Sequence, residues 1–408
     1  MTTLSVTVFV LVYVGMALGR VPGLAIDRTG VALLGLIVLL ASGDLSLAAA
    51  GAAVDMPTIA LLFALMILSA QFEHSGFYGW IAHWVVRAAR NPRRLLAVLI
   101  AVTGVLSAIF TNDVVVFALT PLVAAGLLSQ QIDARPYLIG LAGAANAGSA
   151  ATLIGNPQNI LIGQAGGLDF WTYLAYAAPP ALASLVIVFL AIAATWRLAP
   201  GAGLTAAGEP APEIDRFQMA KGLAAVALLI GLFLTPLPRE LSALAVAGLL
   251  LMSRRLSSRT MIGAVDWQLL LLFVCLFVVT EAFGKTGLAQ DGLAWLAAQG
   301  LRPDRLAVLA PLTLAASNTI GNVPAVILLI GLVPDLSDGT LSALAMLSTF
   351  AGNLLLTGSL CNIIVAERAG AAGVKLGFVD FARSGIPMTL ASLAVASAWL
   401  WATGLVPF

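Results

Sequence analysis

Charge is what this sequence has least of. Only 10% of its 408 residues are Asp, Glu, Lys or Arg, whereas soluble domains carry roughly 25%. With 61% hydrophobic residues and a mean hydropathy of +1.03, a soluble globular protein is excluded and a polytopic, all-α membrane protein is expected. The net charge of +1 gives no electrostatic reason to expect a nucleic-acid partner. Two cysteines, Cys275 and Cys361, both in apolar runs, make no disulfide framework and read as small buried hydrophobes. The two histidines, His74 and His83, share one polar segment, and no pair of aspartates stands at membrane depth. An intramembrane enzyme therefore lacks its acid–base pair or metal cluster, and neither catalysis nor a cofactor is expected. No phosphate-binding Gly-x4-Gly-Lys-Ser/Thr pattern occurs, so the chain alone is not a primary pump; a separate ATPase partner stays open. No basic segment or small-residue cleavage site marks the start, so Leu4 to Leu18 is expected to be a retained first helix.

The chain is instead rich in apolar runs interrupted by polar residues at matching places. Gly155-Asn156-Pro157-Gln158-Asn159-Ile160 interrupts a span over 137–162, and Gly358-Ser359-Leu360-Cys361-Asn362-Ile363 interrupts one over 341–366. Two shorter pairs of apolar arms meet at polar tips. Arms at 95–110 and 114–128 flank Thr111-Asn112-Asp113, and arms near 306–317 and 323–334 flank Asn318-Thr319-Ile320-Gly321-Asn322. Each arm of the first pair is about 15 residues, or about 23 Å of helix, short of a roughly 30 Å hydrocarbon core. Both pairs are read as re-entrant hairpins.

These features recur because the chain is duplicated. At an offset of 211, Arg28 falls on Arg239, Asp55 on Asp266 and Gly76 on Gly287; at 210, Asn112 falls on Asn322; at 203, Gly155 and Asn159 fall on Gly358 and Asn362. The organisation expected is a first transmembrane repeat over 1–200, a cytoplasmic linker over 201–217, and a second repeat over 218–408. Each repeat crosses five times besides its hairpin, about ten crossings in all, and an odd number makes the second repeat inverted. With both termini outside, 16 of the 20 Lys and Arg residues are cytoplasmic and four, Arg239, Lys285, Arg302 and Arg305, are not. The positive-inside rule favours that orientation, in the inner membrane of the cell.

Unwound backbone at membrane depth persists only where it lines a cavity or is buried in protein, and paired interruptions in two halves point to a transporter site. Asp113 is the one acid at either tip or break. A carboxylate there costs roughly 2.5–3.5 kcal/mol on insertion scales and is a functional candidate by default. Oxygen donors suit a hard cation, so Thr111, Asp113, Thr152, Gly155, Thr357 and Gly358 are candidates for a coupling Na+ or H+. Asn112, Asn156, Asn159, Asn318, Thr319, Asn322, Ser359 and Asn362 are candidates for the cargo. None of these is Lys or Arg. An anion would be held by amides, hydroxyls and helix N-termini, with a co-bound cation. Glu281 and Lys285 read as an interfacial pair one turn apart.

The tips Thr111-Asn112-Asp113-Val114 and Ser317-Asn318…Asn322-Val323-Pro324, with the break Gly155-Asn156-Pro157-Gln158-Asn159, resemble the ion transporter superfamily. Its members include arsenite permeases, citrate and other anion permeases, sodium/proton antiporters and divalent anion:sodium symporters. The resemblance spans nearly the whole chain. It implies paired hairpins and broken helices around a midplane site, elevator-type alternating access and a homodimer. It assigns Thr111, Asn112, Gly155, Asn156 and Asn159 to one half-site, and Asn318, Thr319, Asn322, Gly358, Ser359 and Asn362 to the other. The Asn-Asp tip is similar to arsenite permeases and implies proton coupling, while the Gly-Asn-Pro-Gln-Asn break looks more like anion permeases. The function expected is secondary transport of a small anion or oxyanion, citrate- or dicarboxylate-like, coupled to H+ or Na+. Arsenite or antimonite efflux is the alternative, and Na+/H+ antiport a further one.

Overall fold

A computed structural model describes residues 2–18, 25–87, 91–199, 213–333 and 336–408. Arg20, Arg90 and positions 201–212 of the linker lie outside the described residues. Every element of more than one turn is an α-helix. Ten precede the linker: α1 (Thr2–Leu18), α2 (Arg28–Ala41), α3 (Leu47–Ala53), α4 (Met56–His74), α5 (Phe77–Arg87), α6 (Pro92–Ile109), α7 (Asn112–Ser129), α8 (Arg135–Ser149), α9 (Pro157–Ala165) and α10 (Phe170–Thr195). Ten follow it in the same succession of long and short: α11 (Arg216–Leu232), α12 (Arg239–Leu251), α13 (Ser258–Gly263), α14 (Trp267–Gly284), α15 (Leu288–Ala298), α16 (Leu306–Ile320), α17 (Asn322–Leu332), α18 (Asp338–Ala351), α19 (Leu360–Ala371) and α20 (Phe378–Ala402).

Paired positions carry the same local structure. Asp55 caps α4 by accepting Thr58 N–H at 2.8 Å, and Asp266 caps α14 by accepting Leu269 N–H at 2.9 Å. Ser46 and Ser257 cap the short helices α3 and α13 through the N–H three residues on. Each such cap is worth about 1 kcal/mol. Gly76 and Gly287 both turn with φ near +80° (78° and 79°), a conformation only glycine takes without strain.

Among the described residues six helices, α4, α6, α7, α10, α14 and α20, are long and apolar enough to cross a membrane. Leu182, Val186 and Leu190 stand exposed four residues apart on one face of α10, a stripe suited to lipid. In α8 every residue from Pro136 to Ser149 is buried, and in α18 every residue from Thr340 to Ala351. Small side chains permit this. Gly148 of α8 lies so close to the backbone of Gly104 in α6 that a Cβ would collide with it. The two halves interlock around these central helices. α4 packs on α12 and α14 on α2; α7 packs on α19 and α17 on α9. Along α10 and α20, the Ser184 and Ser392 hydroxyls meet at 2.8 Å.

Boundaries differ from expectation in three places, each for a capping reason. The arms α6 and α7 are 18 residues each, about 27 Å, because Asn91 caps α6 through Arg93 and Arg94 N–H and Pro92 fits its first position. By length, both arms reach spanning size. The first tip is therefore only Phe110 and Thr111; Asn112 and Asp113 belong to the first turn of α7. The breaks also begin earlier than the motifs that flagged them, covering 150–156 and 352–359 with one 3-10 turn at Leu356–Gly358. Asn156 caps α9 by accepting Asn159 N–H at 2.9 Å with Pro157 next, which draws Asn159 into helix. Glu281 and Lys285 do pair, at 3.2 Å, and both cysteines are buried and free.

Candidate functional site

Each tip is docked on the break of its own half. Asn112 N–H donates to Gly155 O at 2.8 Å, and Thr152 Oγ1 donates to Ala108 O at 2.7 Å. In the other half Asn318 Nδ2 donates to Ala351 O at 2.9 Å. Both break glycines are required by this approach: a Cβ on Gly155 would sit 2.7 Å from Ser107 O, and one on Gly358 would run into Asn318 Oδ1. The second tip turns at Gly321 with φ of +93°, placing Asn322 at the start of α17 and Pro324 in its first turn.

Within each break one asparagine closes the unwound backbone in the same way. Asn159 Nδ2 donates to Thr152 O (3.0 Å) and Ser149 O (3.4 Å). Asn362 Nδ2 donates to Leu355 O (3.1 Å) and Gly352 O (2.7 Å), at identical spacings of seven and ten residues. Carbonyls freed by unwinding are thereby satisfied, as buried polar groups must be.

Each break is then completed from the other half. Asn146, fully buried on α8, donates to Asn353 Oδ1 (2.8 Å) and Asn362 Oδ1 (3.0 Å) and accepts from Asn112 Nδ2 (2.9 Å) and Ser359 Oγ (3.2 Å). Every hydrogen-bonding capacity of its amide is used. Thr349, at the position equivalent to Asn146 by the offset of 203, accepts from Asn156 Nδ2 and Gln158 Nε2, both at 3.2 Å, and lies 3.3 Å from Asn159 Oδ1. The sequence reading did not single out Asn146, Thr349 or Asn353. A lone polar residue in an apolar run is their only local signal.

Between the two tips lies a chamber of about 40 Å³ lined by Asn112, Asp113, Gln158, Asn322, Ser359 and Arg28 among others. That holds a water or two, far less than the roughly 300–1,000 Å³ of ordinary ligand pockets. An organic anion does not fit in a chamber of that size. Two larger cavities adjoin it. One of about 350 Å³ shares Asp113 and is lined also by Glu73, Thr111 and Asp266. One of about 670 Å³ shares Arg28 and is lined also by Asp27, Asp266, Thr357 and Glu367.

The predicted site residues therefore divide. Asn112, Asp113, Asn322 and Ser359 face the central chamber, and Asn322 Oδ1 has no hydrogen-bond partner there. Thr111 lines the 350 Å³ cavity and Thr357, exposed, the 670 Å³ one. Asn156, Asn159, Asn318, Asn362 and Thr152 are engaged in the bonds above and do not line the chamber, while Gly155 and Gly358 set the close backbone approach. Thr319 is exposed and its hydroxyl donates back to Ala315 O at 2.7 Å. Two polar lining residues, Gln158 and Arg28, were not among the candidates. Gln158 stood inside a flagged motif. Arg28, counted among the cytoplasmic cations from the sequence, lines the chamber as well.

Residues 9–351 match the sequence profile of the citrate transporter family. The chain belongs to that family. It is 29% identical over 428 residues to an uncharacterized transporter of Mycobacterium bovis, covering 98% of both chains. It is 28% identical over 451 residues to a silicon efflux transporter of Oryza sativa subsp. japonica, covering 92% of both. The crystal structure of the YdaH transporter of Alcanivorax borkumensis, described as having an unusual topology, superposes over 99% of this chain and 98% of that one with a TM-score of 0.53 at 18% identity. Family members are transporters rather than enzymes. This multi-pass membrane transporter falls within the ion transporter superfamily that its motifs resemble.

Proposed function

We propose that this member of the citrate transporter family is a secondary active transporter of a small anion or oxyanion of the citrate or dicarboxylate type. The observation that carries the reading is the central chamber, where four uncharged polar side chains, one carboxylate and one guanidinium meet between the two tips. Amides and a hydroxyl suit oxygen-rich cargo, and the carboxylate suits a cation. We read Asp113 as the coupling residue, taking H+ or Na+, because Val323 at the equivalent place in the other tip has no charge. A bound cation then alternates with solvent as access alternates.

The remaining assignments extend this reading. The halves act as inverted repeats that move in an elevator-like manner within a homodimer in the inner membrane, both termini outside. Efflux of arsenite or antimonite is the second reading, favoured by the Asn112-Asp113 pair at the tip and by a relative named for silicon efflux. Proteoliposome assays with Asp113→Asn test the coupling role. Asparagine keeps the size but cannot ionise. The variant is expected to retain cargo counterflow while losing uphill flux and its dependence on pH or sodium. Full uphill transport with wild-type ion dependence would make Asp113 a helix-start residue only.

A further inference from the structure

Arg28 and Arg239 are equivalent by the 211-residue offset, and each is the first residue of its helix. Their surroundings differ. Arg239 Nη2 donates to Gly163 O at 3.2 Å, and the acids Asp169 and Glu240 supply negative charge nearby. Arg28 spends only Nε, on Met16 O at 3.1 Å. Among the described residues no carboxylate stands within ion-pair distance of it. It lies on the wall shared by the 40 Å³ chamber and the 670 Å³ cavity, and among the described residues it is the one cation lining either. The acids facing it are Asp113 across the chamber and Asp27, Asp266 and Glu367 in the larger cavity.

The start of its own helix does not favour this cation, although Met16 O at the end of α1 and the charge of Glu367 do. The N-terminus of a helix disfavours positive charge, and an arginine at membrane depth is costly without a partner. A guanidinium does offer parallel N–H donors matched to a carboxylate or other oxyanion. We propose that Arg28 holds the negative charge of the cargo at the entrance to the central chamber, passing it to the amides of Asn112, Gln158 and Asn322. This rests on the reading that the cargo is an anion and names the residue that selects it. Asp113 lines the same chamber with opposite charge. A bare carboxylate there repels an arriving anion, and a cation held by it removes that repulsion. Cation and anion thus favour one another's binding, as linkage requires.

The test is calorimetric binding of citrate, succinate and sulfate to the purified full-length protein. Arg28→Gln is expected to weaken every anion that wild type binds by about tenfold to a hundredfold, the loss of a charge-assisted bond. Arg28→Lys is expected to recover part of that loss, and Arg239→Gln to change affinity less than about threefold, since its partner is a backbone carbonyl. A folded Arg28→Gln that binds as wild type overturns the inference and leaves anion transport standing. A wild type that binds none of the three overturns both. If Arg28→Gln does not fold, phenylglyoxal modification of wild type replaces it: citrate should protect Arg28 and not Arg239, and equal modification with and without citrate overturns the inference.

Discussion

Asn146→Ala is the sharpest perturbation available, because one side chain joins the second break to the first tip. Four hydrogen bonds vanish, two donated at 2.8 and 3.0 Å and two accepted at 2.9 and 3.2 Å. Interhelical bonds in membrane proteins average about 0.6 kcal/mol and reach about 1.7, so the bonds alone account for roughly 2–3 kcal/mol. Truncation also leaves buried groups on Asn112, Asn353 and Asn362 short of a partner, at about 1–3 kcal/mol for each group left wholly unsatisfied. Asn353 and Asn362 keep other bonds through their Nδ2 atoms, which limits that term. The expected total is about 3–5 kcal/mol, read as reversible unfolding of the detergent-solubilised protein. Asn146→Asp, when ionised, keeps the two accepted bonds but turns both donated ones into oxygen–oxygen contacts, so it should be no more stable than the alanine variant. Thr349→Ala, whose crossing bonds are all 3.2–3.3 Å, should lose only about 1–2 kcal/mol. If Asn146→Ala unfolds within about 1 kcal/mol of wild type and transports normally, the crossing network has no energetic weight.

Other outcomes follow from the same geometry. Gly155→Ala and Gly358→Ala should each displace a tip and abolish transport, the former being the less tolerant because it meets fixed backbone at Ser107; wild-type flux in either would refute the close packing of tip on break. Asn112→Ala should impair both stability and transport, since Asn112 bonds Asn146, whereas Asn322→Ala, whose Oδ1 is unpartnered, should lose transport with little change in unfolding; an unaltered cargo affinity in Asn322→Ala would remove it from the site. A cysteine at the exposed Phe408 position should react with an impermeant thiol reagent in intact cells, and protection there would reverse the proposed orientation.

Much of this was legible because membrane burial imposes local signatures. Apolar runs revealed the spans, and Gly, Pro and Asn within them revealed the tips and breaks. Asp55 and Gly76 were legible as matched positions of the duplication, and the cap and the turn that they form emerge from the fold. What was not legible depends on distance along the chain. Asn146 meets Asn362 across 216 residues and Asn353 across 207, so nothing beside it in sequence distinguishes it from a tolerated polar residue. Asn156 and Asn159 looked like cargo contacts because they are polar, yet their amides are consumed in finishing the backbone of the break. Arg28 counted only as a repeat match and a cytoplasmic charge; the packing of α2 on α14 brings it to the chamber.

The exchange of partners between halves also bears on how the protein is made. Asn159 meets Thr349, which lies 190 residues later. At synthesis rates of about 5–20 residues per second, the first break leaves the ribosome roughly 10–40 seconds before the group that completes it. During that interval its amides must find lipid headgroups, water or a chaperone. The first half should therefore be a poor autonomous product, prone to degradation when expressed alone and rescued when the second half is supplied as a separate polypeptide. Chain completion, more than insertion of any one span, is then the event that commits this protein to its native state.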